Sequence, residues 1–201
     1  MKKAILYIHG KGGSYLEAEQ YRKNCPGFDM IGIDYDDNRP WIVQKPIREA
    51  YDRAHEKYES ITVIANSIGA YFTMHTLQTC NIEKALFISP VLDMERLIRD
   101  MMLWANVTEE ELRNMGEIPT DFGETLSWEF LCFVREHPIN WDIPTEILYA
   151  GKDALISRQT VEKFAASHNA KVTVMENGEH WFHTDEQLAF LDEWMKKAVE
   201  I

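Results

Sequence analysis

Cysteine is scarce in this 201-residue chain: Cys25, Cys80 and Cys132 are three, odd in number and far apart. A disulfide framework and a cysteine-based zinc site are thereby excluded, and a reducing, cytoplasmic location is expected. Long apolar runs are also lacking. None exceeds about six residues, against the roughly 20 that a membrane-spanning helix needs. Met1-Lys2-Lys3 leads straight into a strand-like segment, without the apolar length or cleavage site of a signal peptide, so no such leader is expected. Basic residues are few: 21 against 33 acidic, for a formal charge of −12. Phosphate-rich partners are bound by clustered Lys and Arg, so neither nucleic acid nor an anionic membrane is an expected partner.

What is present is the composition of one soluble domain, 45% hydrophobic and 27% charged. Short apolar runs alternate with segments of helical period. Ala4–Ile8, Met30–Tyr35, Ile61–Ala65, Ala85–Ser89, Glu146–Ala150 and Lys171–Met175 read as six strands, apolar nearly throughout and so covered on both faces. Helical patterns lie between and after them at Tyr15–Asn24, Trp41–Tyr58, Ile68–Thr79, Ser157–His168 and Thr184–Val199. This alternation predicts an α/β fold, a three-layer α/β/α sandwich around a mainly parallel six-stranded sheet. One stretch, about 91–144, has no strand signal but several helix starts. Asp93 is a candidate N-cap there, and Thr108-Glu109-Glu110-Glu111 has the form of a capping box. Two to four short helices inserted into a single domain are expected.

Chemistry concentrates where strands end. Ala65-Asn66-Ser67-Ile68-Gly69 sits at the junction of the third strand and the next helix. A serine raised on a sharp strand-to-helix turn needs small residues two before and two after it, because the two backbones nearly touch. Ala65 and Gly69 meet that need, although an ordinary junction with Ser67 as N-cap would use the same residue type. A nucleophilic serine needs a base, and the base needs a carboxylate to fix its tautomer. Gly151-Lys152-Asp153 follows the fifth strand and Asn177-Gly178-Glu179-His180 the sixth, both on the same sheet edge as Ser67. The first strand ends in His9-Gly10-Lys11-Gly12-Gly13, a loop whose backbone can approach a substrate. The N–H groups of Lys11 and Ile68 are candidate oxyanion donors. The loop fits neither a P-loop nor a dinucleotide fingerprint, and His9 reads as a brace for it.

Together, the HG loop at His9-Gly10, the Ala-Asn-Ser-Ile-Gly elbow, Gly-Lys-Asp at Asp153 and Gly-Glu-His at His180 resemble the α/β-hydrolase superfamily over nearly the whole chain. The resemblance implies a Ser67–His180–Asp153 hydrolase acting on a small-molecule acyl substrate, with no metal or organic cofactor. A carboxylic ester is the first reading, with a thioester or small peptide as alternative and a silent ligand-binding homologue as a third. It also implies a minimal version lacking the two strands that usually precede the HG strand, with strand order 2-1-3-4-5-6. Ala65 stands where the family usually has glycine.

Alternatives remain within the site. His183 competes with His180, but Thr184–Gln187 has the form of a capping box that leaves His183 beside a helix start. Asp93 competes with Asp153, and some family members place the acid at that position. Asp34 and Asp36, at the end of the second strand, read as surface loop. His55, His75, His137 and His168 show no metal-ligand spacing. Tyr51–Glu59 reads as a solvated helix face, and Cys80 and Cys132 as buried fillers. By the resemblance, the insert forms a cap over the nucleophile. It carries Trp104, Trp128 and Trp141 with Met94, Met101, Met102 and Met115, and it holds 12 acidic against 4 basic residues. Gly10, Gly12, Trp104, Trp128 and Trp181 are the candidate substrate contacts, and an acidic cap would favour neutral or cationic substrates.

Overall fold

The computed structural model describes residues 2–200, of which Glu200 by its backbone alone; Met1, the first residue of the Met1-Lys2-Lys3 segment, and Ile201 lie outside the described residues. The chain falls into two compact units, residues 93–139 and the remainder.

In the larger unit the strands are β1 (Lys3–Ile8), β2 (Phe28–Gly32), β3 (Ser60–Asn66), β4 (Lys84–Ile88), β7 (Thr145–Ala150) and β8 (Ala170–Met175). Among the described residues these six form one sheet in the order β2-β1-β3-β4-β7-β8, parallel throughout. This is the order that the resemblance implies. Ala4 to Ile8 are completely buried because helices cover both faces. Ile5 and Tyr7 share one core cluster with Ala18 and Tyr21 of α1 (Ala18–Arg22) and Trp194, Met195 and Ala198 of α8 (Asp185–Glu200). Helices α2 (Pro40–His55) and α3 (Ile68–Leu77) cover the other face, and α7 (Arg158–Ser167) packs on β8. The amphipathic α2 buries Val43, Ile47, Ala50, Tyr51 and Ala54, a helical stripe. The central α3 is buried almost all round, at Gly69 to Met74 and Leu77. Each large apolar side chain so buried contributes roughly 1.5–3 kcal/mol.

Three expectations need correction here. The second strand stops at Gly32 rather than Tyr35, because Ile33 onward peels away; Ile33 N–H still donates to Tyr7 O, but the Tyr35 ring turns back onto His9. Asp34 and Asp36 therefore follow the strand in an exposed segment. Trp141 belongs to the sheet body and not to the insert. It is fully buried against Phe87, with its indole N–H donating to Thr145 Oγ1 at 2.8 Å. Cys25 is the buried thiol, while Cys80 and Cys132 are only half-buried.

The smaller unit holds α4 (Met94–Trp104), α5 (Glu109–Met115), β5 (Glu117–Pro119), β6 (Thr125–Ser127) and α6 (Trp128–Glu136). The antiparallel β5–β6 hairpin was not expected; strands of three residues are too short to show a period. Asp93 caps α4 through Arg96 N–H at 3.0 Å, and Thr108 and Glu111 form the capping box of α5. Arg135 of α6 bonds both Glu95 of α4 and Glu109 of α5 at 2.7–2.9 Å, tying the three helices of the unit together.

Candidate active site

The elbow joins β3 to α3. Ser67 has φ 52° and ψ −120°, a conformation that costs a non-glycine residue on the order of 1–3 kcal/mol and persists only where its surroundings enforce it. They do so here through three backbone bonds. Ser67 N–H donates to Ile88 O at 2.9 Å, and Ser67 O accepts from Ala70 N–H at 3.1 Å and Val91 N–H at 3.0 Å. Gly69 has no alternative. A Cβ there would lie 2.5 Å from Ile8 O and 2.6 Å from His9 O. Ala65 tolerates its methyl, packed without exposure between Ile8 and Phe87 of the neighbouring strands. Ser67 makes no side-chain cap to α3, which sets aside the N-cap reading of this residue.

The hydroxyl faces histidine instead. Ser67 Oγ lies 2.9 Å from His180 Nε2, and His180 Nδ1 lies 2.7 Å from Asp153 Oδ2. The Asp153 side chain has no solvent exposure. Its other oxygen accepts from Leu155 N–H at 2.8 Å and Ile156 N–H at 3.0 Å, which fixes the carboxylate in rotation. A carboxylate on Nδ1 makes that nitrogen the donor and leaves Nε2 as acceptor for a hydroxyl proton. The two loops meet because Gly151 lets them: a Cβ there would lie 2.5 Å from Glu176 O. Lys152 N–H then donates to Gly178 O at 2.9 Å, bringing Asp153 beside His180.

Lys11 and Gly12 are the centre of a turn closed by Gly13 N–H donating to Gly10 O at 3.1 Å, with Gly12 at φ 71° as a type II turn requires. Gly10 lies against the elbow, its Cβ position 3.2 Å from Ser67 Cβ. The Ile68 N–H belongs to the first turn of α3, whose N–H groups have no partner within the helix.

The remaining candidates have other partners. His183 Nδ1 faces Trp181 O at 2.7 Å, and its backbone N–H donates to Gln187 Oε1 at 3.1 Å. Trp181 is 73% exposed and stacks on His183. In the smaller unit Trp104 meets Phe122 edge-on and Trp128 lies under the Arg113 guanidinium. Among the described residues, no group of three or more His, Cys, Asp or Glu is placed to hold a metal ion, and no helix is long and apolar enough to cross a membrane.

Sequence reasoning missed Tyr35, Tyr7 and Glu17. The Tyr35 ring stacks on His9 with centroids 3.9 Å apart, and its hydroxyl donates to His9 O. The Tyr7 hydroxyl donates to Glu17 Oε2 at 2.5 Å. Tyr35 thus tethers the HG loop at His9, and Glu17 holds its far end through Ser14 N–H at 3.2 Å.

The structure of Est1E from Butyrivibrio proteoclasticus matches with a TM-score of 0.78 at 16% identity, over 98% of this chain and 86% of that one. The chain has the α/β-hydrolase fold. The mouse α/β hydrolase domain-containing protein 10 is similar to it at TM-score 0.74 and 14% identity, over 98% and 89% of the two chains. A lipase-esterase related protein of Clostridium acetobutylicum matches at 0.64 and 16%, over 98% and 94%. No family model and no curated protein sequence matches. In this α/β-hydrolase fold, Ser67, Asp153 and His180 follow the strands β3, β7 and β8 at one edge of the sheet.

Proposed function

We propose that the protein is a cytoplasmic serine hydrolase that cleaves a small or medium carboxylic ester through an acyl-enzyme. The reading rests above all on the continuous Ser67–His180–Asp153 hydrogen-bond chain at a strained elbow. Ser67 Oγ attacks the ester carbonyl carbon as His180 Nε2 takes its proton. The tetrahedral oxyanion is met by the N–H groups of Lys11 and Ile68. Collapse breaks the bond to the alcohol, which leaves with the proton from His180. Water, deprotonated by the same nitrogen, then attacks the acyl carbon and releases the carboxylic acid, restoring Ser67. Asp153 accepts from His180 Nδ1–H and balances the transient imidazolium. Loss of one oxyanion donor costs about 3 kcal/mol in such a transition state.

Aryl esters head the substrate panel. Trp181, next in sequence to His180, offers an exposed indole face for stacking, and a structure of Est1E holds ferulic acid. The test is turnover of p-nitrophenyl and aryl esters by the parent and by Ser67→Ala. Loss of roughly a thousandfold or more supports the reading, and wild-type turnover by the variant would end it.

A further inference from the structure

The two oxyanion donors are not held alike. Ile68 N–H rides on α3 with the nucleophile, whereas Lys11 N–H stands in Gly10-Lys11-Gly12-Gly13, with three glycines in four residues. Lys11 and Gly12 are exposed. A donor stabilises an oxyanion only if its position is fixed before the charge develops, so this loop needs an external hold.

His9 and Tyr35 clasp one side. The His9 ring is buried, with Nδ1 2.8 Å from Gly10 O and Nε2 3.1 Å from Tyr35 O. On the other side stands one carboxylate. Glu17 Oε1 accepts from Ser14 N–H at 3.2 Å and lies 2.9 Å from the Cβ position of Gly13. Glu17 Oε2 accepts from the hydroxyl of Tyr7, a wholly buried side chain on β1. A capping box accounts for Ser14 and Glu17 at the 3₁₀ turn Tyr15–Glu17, but it does not call for a buried phenol. Burial, with the nearby Tyr21 and the Glu17 bond, pushes the Tyr7 hydroxyl well above its ordinary pKa, so it remains a donor.

We propose that Glu17, gripped by Tyr7, is the positioning residue that fixes the Lys11 N–H against the Ser67 elbow. The charge-assisted Tyr7–Glu17 bond ties the loop's far end, at Ser14, to the first strand, while Gly10 at its near end lies against the elbow. The proposal rests on the hydrolase reading, and its test separates the two. Fluorophosphonate labelling counts active Ser67, and kcat is then expressed per labelled serine for Glu17→Gln, Tyr7→Phe and the double variant. Glutamine replaces one of the two accepting carboxylate oxygens by a donating NH2 and removes the charge, so the charge-assisted acceptance from both Tyr7 and Ser14 is lost. Each single variant should lower kcat about 10- to 100-fold with KM within about threefold, since a displaced donor costs less than the 10²–10³ of a deleted one. The double variant should be no worse than the worse single, because both break one link. Unchanged kcat per labelled serine, a loss confined to KM, or multiplying losses in the double variant would each overturn the proposal while leaving the hydrolase reading standing. Absence of labelling in the wild type would instead remove the reading itself and the proposal with it.

Discussion

The two ends of the parallel strands are built in different ways. At the amino end, Lys3 stands in register with Ser60, Thr62 with Lys84 and Glu146 with Lys171. These residues line a hollow of about 500 Å³ together with Phe28 and Val199. Beside backbone bonds such as Glu59 N–H to Lys2 O at 3.0 Å and Thr145 N–H to Asn169 O at 2.9 Å, the side-chain contacts there are made by the tips of lysines: Lys171 to Glu146 at 3.2 Å, Lys84 Nζ to Ala198 O at 2.9 Å, and Lys3 over the Phe28 ring. At the carboxyl end, backbone meets backbone, at Gly69 against Ile8 and His9 and at Gly151 against Glu176. A lysine tip can move by an ångström at little cost, whereas a peptide group in van der Waals contact cannot. Reactive groups held to within a few tenths of an ångström belong at the second kind of end.

The largest effect expected from breaking this contrast is chemical. Asp153→Asn keeps the shape of the carboxyl end but presents an amide to His180 Nδ1, which favours the wrong imidazole tautomer. A fall of about 10⁴-fold in kcat with little change in thermal stability is expected from rate and melting measurements. Next comes geometry. Gly69→Ala forces the Ile8 and His9 carbonyls apart and should cost about 3 kcal/mol or more in denaturant titrations, with loss of turnover. Lys171→Ala, at the other end, removes a pair whose lysine is 72% exposed, so stability should stay within about 0.5 kcal/mol and kcat should not change.

The smallest effect is a pH signature of the amino end. Burial, with Lys171 adding like charge, holds the Lys84 ammonium below the ordinary lysine range. In the window just below that range the unfolded chain binds more protons than the folded one, so stability from this group rises with pH. The Tm difference between wild type and Lys84→Met should therefore shift in favour of wild type as pH rises towards the ordinary lysine value of about 10.4. A flat difference would mean that Lys84 is not held down.

Much of this architecture was legible because fully covered strands leave apolar runs, and six such runs in order define the sheet. The elbow was legible for a related reason: Ala65 and Gly69 are small because backbones touch there. What escaped notice lacks a local pattern. Tyr35 has the propensity of a strand residue, yet its hydroxyl and ring are drawn to His9 across 26 positions. The β5–β6 hairpin has too few residues for alternation. Trp141 reads as part of the insert because no strand signal precedes Thr145, although packing on Phe87 assigns it to the sheet body. Tyr7 and Glu17 meet between a strand and a 3₁₀ turn, a pairing that no period encodes.

The central claim is that Ser67 is an activated nucleophile served by His180. Its most direct test is intact-protein and peptide mass spectrometry after brief exposure to a fluorophosphonate. One adduct, on the peptide containing Ser67, forming rapidly in the wild type and at least about a hundredfold more slowly in His180→Ala, is the predicted result. An unmodified Ser67 in the folded wild type, or equal labelling rates with and without His180, would contradict it.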